Sequence, residues 1–168
     1  PLFTFEAITM ATIEQAVLNI NKRAEQMVRA TVIGCASRII KRTPVGNPEL
    51  WLFKNNGVYV DYLAYKDPPE GYVGGTLRGN WQSSISNPIK TTTNRVDKTG
   101  VAATSEVIST ALKIKIGSVF YMTNNLPYAA RIEFDGWSTQ ASAGMLRIEV
   151  LETAAAILQI LRQRLRSR

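Results

Sequence analysis

The sequence has 168 residues, 45% hydrophobic and 20% charged, which predicts one folded domain spanning residues 1–168 and excludes wholesale disorder. It contains 20 Lys and Arg against 13 Asp and Glu, no histidine and one cysteine. These counts exclude a Ser-His-Asp triad, a His-bearing metal site and an internal disulfide bond. We therefore expect no cofactor, and we interpret Cys35 as a small core residue.

The distribution of apolar and basic residues indicates where the protein works. No apolar run approaches the ~20 residues needed to span a bilayer, and the first residues lack the pattern of a signal peptide. We expect the protein to act in the cytoplasm or in a particle assembled there, with no membrane partner. The net charge of +7 favours an acidic or polyanionic partner.

The first predicted element is a long helix over residues 9–42. Apolar residues recur at helical spacing, and Thr12 with Gln15 forms a capping-box pattern near the start. Thr43-Pro44 ends the helix because the residue before proline disfavours helical geometry. About 30 helical residues extend for ~45 Å, more than a small domain covers, so we expect part of this helix to pack on another subunit.

Residues 46–75 form a segment of different composition, which we interpret as an ordered insertion loop that contacts a neighbour. Prolines and glycines interrupt it, and a short strand is predicted within 58–65. Its dense aromatic content argues against disorder. The aromatic residues predicted to make contacts are Trp51, Phe53, Tyr59, Tyr62 and Tyr65.

Residues 76–144 are predicted to contain short strands and short helices. A strand over 81–86 places Trp81, Ser83 and Ile85 on one face, and a polar loop follows at 91–100. The predicted elements after this loop are a helix over 104–113 capped by Thr104 or Ser105, a possible strand at 113–116, a strand over 118–123, and a helix over 127–134 that starts at Pro127. Inward positions of the 104–113 helix are Val107, Ile108, Ala111 and Leu112.

The last predicted element is a helix over residues 145–168. It has an apolar stripe at helical spacing, and its last turns carry Arg162, Arg164, Arg166 and Arg168. The predicted fold is α+β: a small, mostly antiparallel sheet packed by two long amphipathic helices, with an ordered loop insertion. Such a sheet is too small to cover both apolar stripes, so we expect oligomerisation.

Two motifs that suggest catalysis lack the required context. The glycine-rich stretch 71–79 has no Gly-Lys-Ser/Thr ending, which excludes a P-loop. Of the two carboxylate pairs, Glu149/Glu152 has the spacing of polar positions on a helix. In the pair Glu133/Asp135 we expect Glu133, beside Arg131, to form a local or intersubunit ion pair rather than to act as a catalytic acid. We therefore predict that the protein is not an enzyme.

Basic helices keep a second function open. The arginines near the end of the chain, the basic side of the first helix and the aromatic loop together are compatible with binding of nucleic acid. A solvated helix end explains the same arginines equally well. No helix-turn-helix, RNP or zinc-knuckle pattern is present, so sequence-specific reading of bases is not expected.

Four short motifs follow one another along the chain: RTPV at 42–45, GTLRGNW at 75–81, NNLPYAARIEF at 124–134 and GWSTQASAGM at 136–145. Their order resembles the tailed-bacteriophage neck and tail-completion proteins of the HK97 gp10-like group, to which the minor tail protein Z of lambda is related. In that family the first two motifs are contiguous, whereas here residues 47–74 separate them, as a surface insertion. The family's turn after the third motif has one extra residue here, at Asp135.

The resemblance implies a structural virion protein at the head–tail junction. Such a protein forms a ring, expected to have six copies, that joins tail to head and surrounds the channel for packaged double-stranded DNA without sequence specificity. Its expected partners are further copies of itself, head-completion or connector proteins, and the tail terminator or tail tube. Its expected location is the virion, with assembly in the host cytoplasm.

Single residues of these motifs and of the last helix also have expected roles, which follow from their residue types and positions. Leu77 and Trp81 anchor the turn after the insertion, and Tyr128, Ile132 and Phe134 point inward while Arg131 and Glu133 lie outside. The structural motif residues are Leu77, Arg78, Trp81, Pro127, Tyr128, Gly136 and Gly144. The expected interface residues in the last two motifs are Arg131, Glu133 and Trp137. Arg162, Arg164, Arg166 and Arg168 are expected to face DNA or an acidic partner.

Overall fold

The structure is a computed structural model that describes residues 3–46, 54–55, 58–59 and 73–166, with side chains for 12–46 and 73–166. Its helices are α1 (Phe3–Arg42), α2 (Thr76–Gly79), α3 (Val101–Ala111), α4 (Ala129–Phe134) and α5 (Leu146–Arg166). Its strands are β1 (Lys54–Asn55), β2 (Val58–Tyr59), β3 (Gln82–Ile85) and β4 (Phe120–Thr123). No helix of the described residues is long and apolar enough to cross a membrane.

The strands form two antiparallel ladders. β3 pairs with β4 in the register that places Ser83 opposite Met122 and Ile85 opposite Phe120. β1 pairs with β2 as a separate two-stranded ladder. The α+β prediction, with a small antiparallel sheet and long helices packed on it, is therefore confirmed.

The core lies where the second half of α1 meets α3, the β3–β4 sheet and the start of α5. Ile40, Val107 and Met145 are fully buried at its centre. Leu77 and Trp81 are buried in the same cluster, which confirms their predicted position as core anchors. Cys35 is half-buried and packs against this cluster.

The start of α1 differs from the prediction. The helix begins at Phe3, so Thr12 lies inside it and the predicted capping box is wrong. No proline or glycine interrupts residues 3–33, and the helical spacing of apolar residues continues through them. The predicted end at Thr43-Pro44 is confirmed.

The element predicted over 104–113 begins earlier, at Val101, so a cap by Thr104 or Ser105 is wrong. Gly100 precedes the helix at φ +80°, a left-handed conformation that glycine tolerates. Val107 and Ala111 are buried as predicted, whereas Ile108 and Leu112 are exposed. Residues 113–116 lie in turns and irregular chain rather than in a strand.

The helix predicted over 127–134 begins at Ala129, after a turn that contains Pro127. Two side-chain directions in α4 are the reverse of those predicted. Glu133 is buried rather than outside, and Phe134 is 66% exposed rather than inward. The cause lies at the start of α5, where the Glu133 carboxylate accepts the backbone N–H groups of Met145, Leu146 and Arg147.

Several predicted contact residues lie outside the described residues. These are Trp51, Phe53, Tyr62, Tyr65 and Arg168. Tyr59 belongs to β2, for which the structure describes the backbone alone. The predictions for the aromatic insertion therefore stay predictions.

Candidate assembly interface

The first two motifs are joined at Thr43, directly after α1. The Trp81 indole nitrogen donates to the Thr43 hydroxyl at 2.7 Å, and that hydroxyl donates to the Ile39 carbonyl at 2.8 Å. The Arg78 guanidinium donates to the Thr43 carbonyl at 2.6 Å and to the Lys98 carbonyl at 2.5 Å. Burial lowers the pKa of Arg78, and the nearby Asp97 carboxylate opposes that shift. Arg78 thus holds the end of α1 through the backbone carbonyls that it contacts.

The loop before α3 is held by Asp97, a residue that the sequence analysis did not single out. Its carboxylate accepts the backbone N–H groups of Gly100 at 2.8 Å and Ala103 at 3.0 Å. Burial alone raises the pKa of Asp97, but these backbone hydrogen bonds and that from the Thr99 hydroxyl outweigh it and lower the pKa. Asp97 therefore caps α3, and an acidic residue just before a helix is the signal that could have revealed it.

The third and fourth motifs are joined by Glu133. Its carboxylate accepts the backbone N–H groups of Met145 at 2.7 Å, Leu146 at 2.9 Å and Arg147 at 2.9 Å. N–H groups at the start of a helix have no acceptor within the helix itself, so Glu133 supplies one here. Its negative charge also interacts favourably with the positive end of the helix dipole. Gly144, at φ +93°, leaves room for the carboxylate, because a Cβ there would lie 2.8 Å from Glu133 Oε1. Glu133 is thus a helix cap and not an exposed interface residue.

Two further contacts close the connection between the motifs. The Asn124 amide of the third motif donates to the Leu77 carbonyl of the second at 2.8 Å. The Gln140 amide of the fourth motif donates to the Val45 carbonyl of the first at 3.1 Å, and its oxygen accepts the Val45 N–H at 3.3 Å. All four motifs are therefore linked by hydrogen bonds in a closed circuit, which we call the motif circuit.

A buried carboxylate on α5, Glu149, fixes α5 to α1. Only 2% of Glu149 is exposed, and it pairs with Arg38 at 2.8 Å and with Arg42 at 2.9 Å. Burial alone raises its pKa, but the hydrogen bonds and charges of the two arginines outweigh it and lower the pKa. The interpretation of Glu149 as a polar surface residue is wrong, and the spacing of Arg38 and Arg42 one helical turn apart is the signal that was missed.

Of the predicted interface residues near α4, the structure brings Arg131 and Trp137 together. The Arg131 guanidinium lies 4.7 Å from the centre of the Trp137 ring, a cation–π arrangement. Arg131 is exposed and Trp137 is half-buried at the edge of the core. Arg147 lies 5.6 Å from the centre of the exposed Phe134 ring. Tyr128 packs against the core, and Gly136 adopts φ +65° in the following turn.

Both long helices continue beyond the folded body. We call residues 3–23 the α1 arm and residues 154–166 the α5 arm. Every described side chain of the α1 arm and every residue of the α5 arm is exposed. The exposed apolar residues of the two arms include Ile13, Val17, Leu18, Ile20, Ile157, Leu158, Ile160, Leu161 and Leu165. Arg162, Arg164 and Arg166 are exposed on the α5 arm and lie far along the chain from the motif circuit.

Exposed apolar residues of this number make the two arms the candidate contact surface of the described residues. Among the described residues, no group of three or more acidic or cysteine side chains is arranged to hold a metal ion. No protein-family model, no curated protein and no solved structure matches the chain. The arms and the motif circuit are therefore the candidate functional features of the described residues.

Proposed function

We propose that the protein is a structural virion protein of the phage head–tail junction, which forms a ring that joins tail to head around the DNA channel. The observation that carries the proposal is the motif circuit. Residues 42–45, 75–81, 124–134 and 136–145 are distant in sequence, yet hydrogen bonds connect each motif to the next. Four motifs that form one hydrogen-bonded unit support an architecture shared with the neck and tail-completion proteins better than four separate short matches do.

The arms supply the second support. A ring protein needs surfaces that remain uncovered in the single chain, and both arms expose apolar residues. The buried polar groups described above are used to hold helices, because Glu133, Glu149 and Asp97 all accept hydrogen bonds from the chain itself. Such a distribution suits assembly rather than catalysis, with no cofactor, with further copies and junction proteins as partners, and with the virion as the location.

The proposal is tested first in particles. A phage whose copy of this gene carries an early stop codon is expected to yield filled heads and complete tails that do not join, seen by negative-stain electron microscopy. Supplying the intact gene in trans is the control and is expected to restore joined particles. Joined, infectious particles in the absence of the protein would overturn the proposal.

The purified protein provides the second test. Closed rings with a central hole wide enough for duplex DNA are expected in electron micrographs, and native mass spectrometry gives the number of copies, expected to be six. Where the ring needs a template, it is expected to appear only after the connector proteins of the same phage are added. Failure to form rings under either condition would argue against the proposal.

A second candidate function is binding of nucleic acid by the basic helices, favoured by the exposed arginines Arg162 and Arg166 at the end of the α5 arm. It predicts that the isolated protein binds duplex DNA and that the affinity falls steeply between low and moderate salt. DNA binding together with absence of rings would favour this candidate over the first.

A further inference from the structure

The two arms match each other in the spacing of their apolar residues. On the α1 arm, Ile13, Val17 and Ile20 are 54%, 49% and 65% exposed and lie four and three residues apart. On the α5 arm, Leu161, Ile157 and Ala154 are exposed and have the same separations in reverse order. Alternating spacings of four and three residues keep side chains on one seam between two packed helices.

The two arms also match in charge. Residues 3–20 contain Glu6 and Glu14 and no basic residue, and Lys22 and Arg23 follow where the arm joins the body. The α5 arm has the reverse order: Glu152 lies just before it, and arginines occupy its tip. The α1 arm is thus acidic toward its free end and basic where it joins the body. The α5 arm is basic at its free end, and an acidic residue lies where it leaves the body.

One antiparallel register satisfies both patterns at once. Placing Ile157 beside Val17 also brings Leu161 to Ile13 and Ala154 to Ile20. In the same register Glu14 and Arg162 each follow a seam residue by one position, Ile13 and Leu161, so the two opposite charges lie at nearly the same height on the same side of the seam. Lys22 and Glu152 lie on the outer faces of the two helices and do not meet. Within one chain the exposure of both arms shows that they do not cover each other.

We propose that the α5 arm of one subunit packs antiparallel along the α1 arm of a second copy of this chain. Each subunit then uses its two arms in two head-to-tail contacts, one with each neighbour, and such contacts generate a ring when the rotation closes. This inference rests on the proposed function and deepens it, because it assigns the arginines of the α5 arm to the acidic α1 tip of the neighbouring subunit rather than to DNA.

Charge reversal tests the pairing. The variant Glu14→Arg places positive charge on both arms, and the double variant Arg162→Glu with Arg166→Glu places negative charge on both. Each protein alone is expected to lose rings, by at least tenfold in the assembled fraction measured by sedimentation velocity. An equal mixture of the two is expected to recover rings, because each interface then pairs opposite charges.

The matched control is Lys90→Glu, a reversal at an exposed position of the body, which is expected to leave assembly unchanged. Rings from each arm variant alone, or no recovery in the mixture, would overturn the pairing. Rescue of Glu14→Arg by Lys22→Glu in the same chain, without the α5 changes, would show that two α1 arms pair with each other and would also overturn it.

Disulfide trapping tests the register without relying on rings in solution. The double variant Val17→Cys with Ile157→Cys is expected to give a ladder of cross-linked subunits on mild oxidation, in the pure protein or on a connector template. Either single variant is expected to stay uncross-linked. If the double variant forms rings but gives no cross-linked ladder, the arm pairing is overturned while the proposed function stands. If phage particles join in the absence of the protein, the proposed function is overturned while the arm pairing stands.

Discussion

At Thr43, one hydroxyl serves both as acceptor for the Trp81 indole and as donor to the Ile39 carbonyl. Thr43→Val keeps the shape of the side chain but leaves the buried indole N–H without its partner. We expect a loss of about 1–3 kcal/mol in the free energy of unfolding, measured by urea denaturation. Thr43→Ser is the control and retains most of the stability, because it keeps the hydroxyl; equal stability of the valine variant and the wild type would contradict this role.

Glu149 makes stability depend on pH in a direction fixed by its lowered pKa. Because the folded pKa lies below the unfolded value, the unfolded chain binds more protons than the folded chain between the two pKa values. This stabilisation is therefore fully present above the ordinary Glu value of about 4.3 and is lost as the pH falls from there through the folded pKa. Arg38 and Arg42 face the carboxylate and cause the shift.

Glu149→Gln is therefore expected to lower the free energy of unfolding at pH 7. Below pH ~4.3 the free energy of unfolding is expected to decrease less with falling pH in this variant than in the wild type. Unfolding curves of both proteins at pH 7 and pH 3 measure this difference. Asp97, whose pKa is also lowered, contributes an acid sensitivity that remains in the variant. Parallel pH profiles for variant and wild type would refute the assignment to Glu149.

At the scale of elements, the connection from α4 to α5 depends on the space beside Gly144. A Cβ at Gly144 meets the Glu133 carbonyl and carboxylate at 2.8 Å, whereas at Gly117, which has a similar positive φ of +85°, it meets nothing within 4 Å. Both alanine variants carry a backbone cost of about 1 kcal/mol. Gly144→Ala is expected to lose about 1–2 kcal/mol more, because it displaces the cap of α5. Urea denaturation of the two variants measures the difference, and equal losses would contradict the capping role.

The helices and their ends were predictable where local rules decide them. Thr43-Pro44 ends α1 as expected, and the apolar periodicity places α5 within one residue of its observed start at Leu146. The start of α1 was missed because a capping-box pattern also occurs inside helices. Local patterns identify residues that are suited to a cap, but they do not show whether the helix ends there.

The candidate site was less predictable, because its key residues are buried carboxylates. Glu133 and Glu149 have the sequence context of surface residues, and each becomes buried only because a distant partner satisfies it. The partners, the first N–H groups of α5 for one and the arginines of α1 for the other, are brought close by tertiary packing. The spacing of Arg38 and Arg42 indicates an acidic partner, but the periodicity of the sequence does not show that this partner is Glu149 or that Glu133 meets the start of α5.

At the scale of the whole molecule, residues 24–46 and 73–153 form a folded body from which two helical arms, the α1 arm and the α5 arm, extend. α1 first contacts the body near Glu25 and Arg29, where the Arg29 guanidinium donates to the Ile114 carbonyl at 2.6 Å and Glu25 accepts the Ile116 N–H at 3.3 Å. The described side chains before residue 24 are exposed. The α1 arm therefore adds little to the stability of the body, and its apolar residues are available for assembly.

Deletion of residues 1–20 is accordingly expected to change the free energy of unfolding of the monomer by no more than about 0.5 kcal/mol. The same deletion is expected to abolish assembly. The matched comparison is the Glu14→Arg variant, which keeps the arm but is expected to be monomeric. Subunit contacts then contribute to the urea unfolding of neither the truncated chain nor this variant. Light scattering after size exclusion measures the assembled state. A marked loss of stability on deletion would place the arm within the folding unit, and rings formed by the truncated chain would show that the subunits meet through another surface.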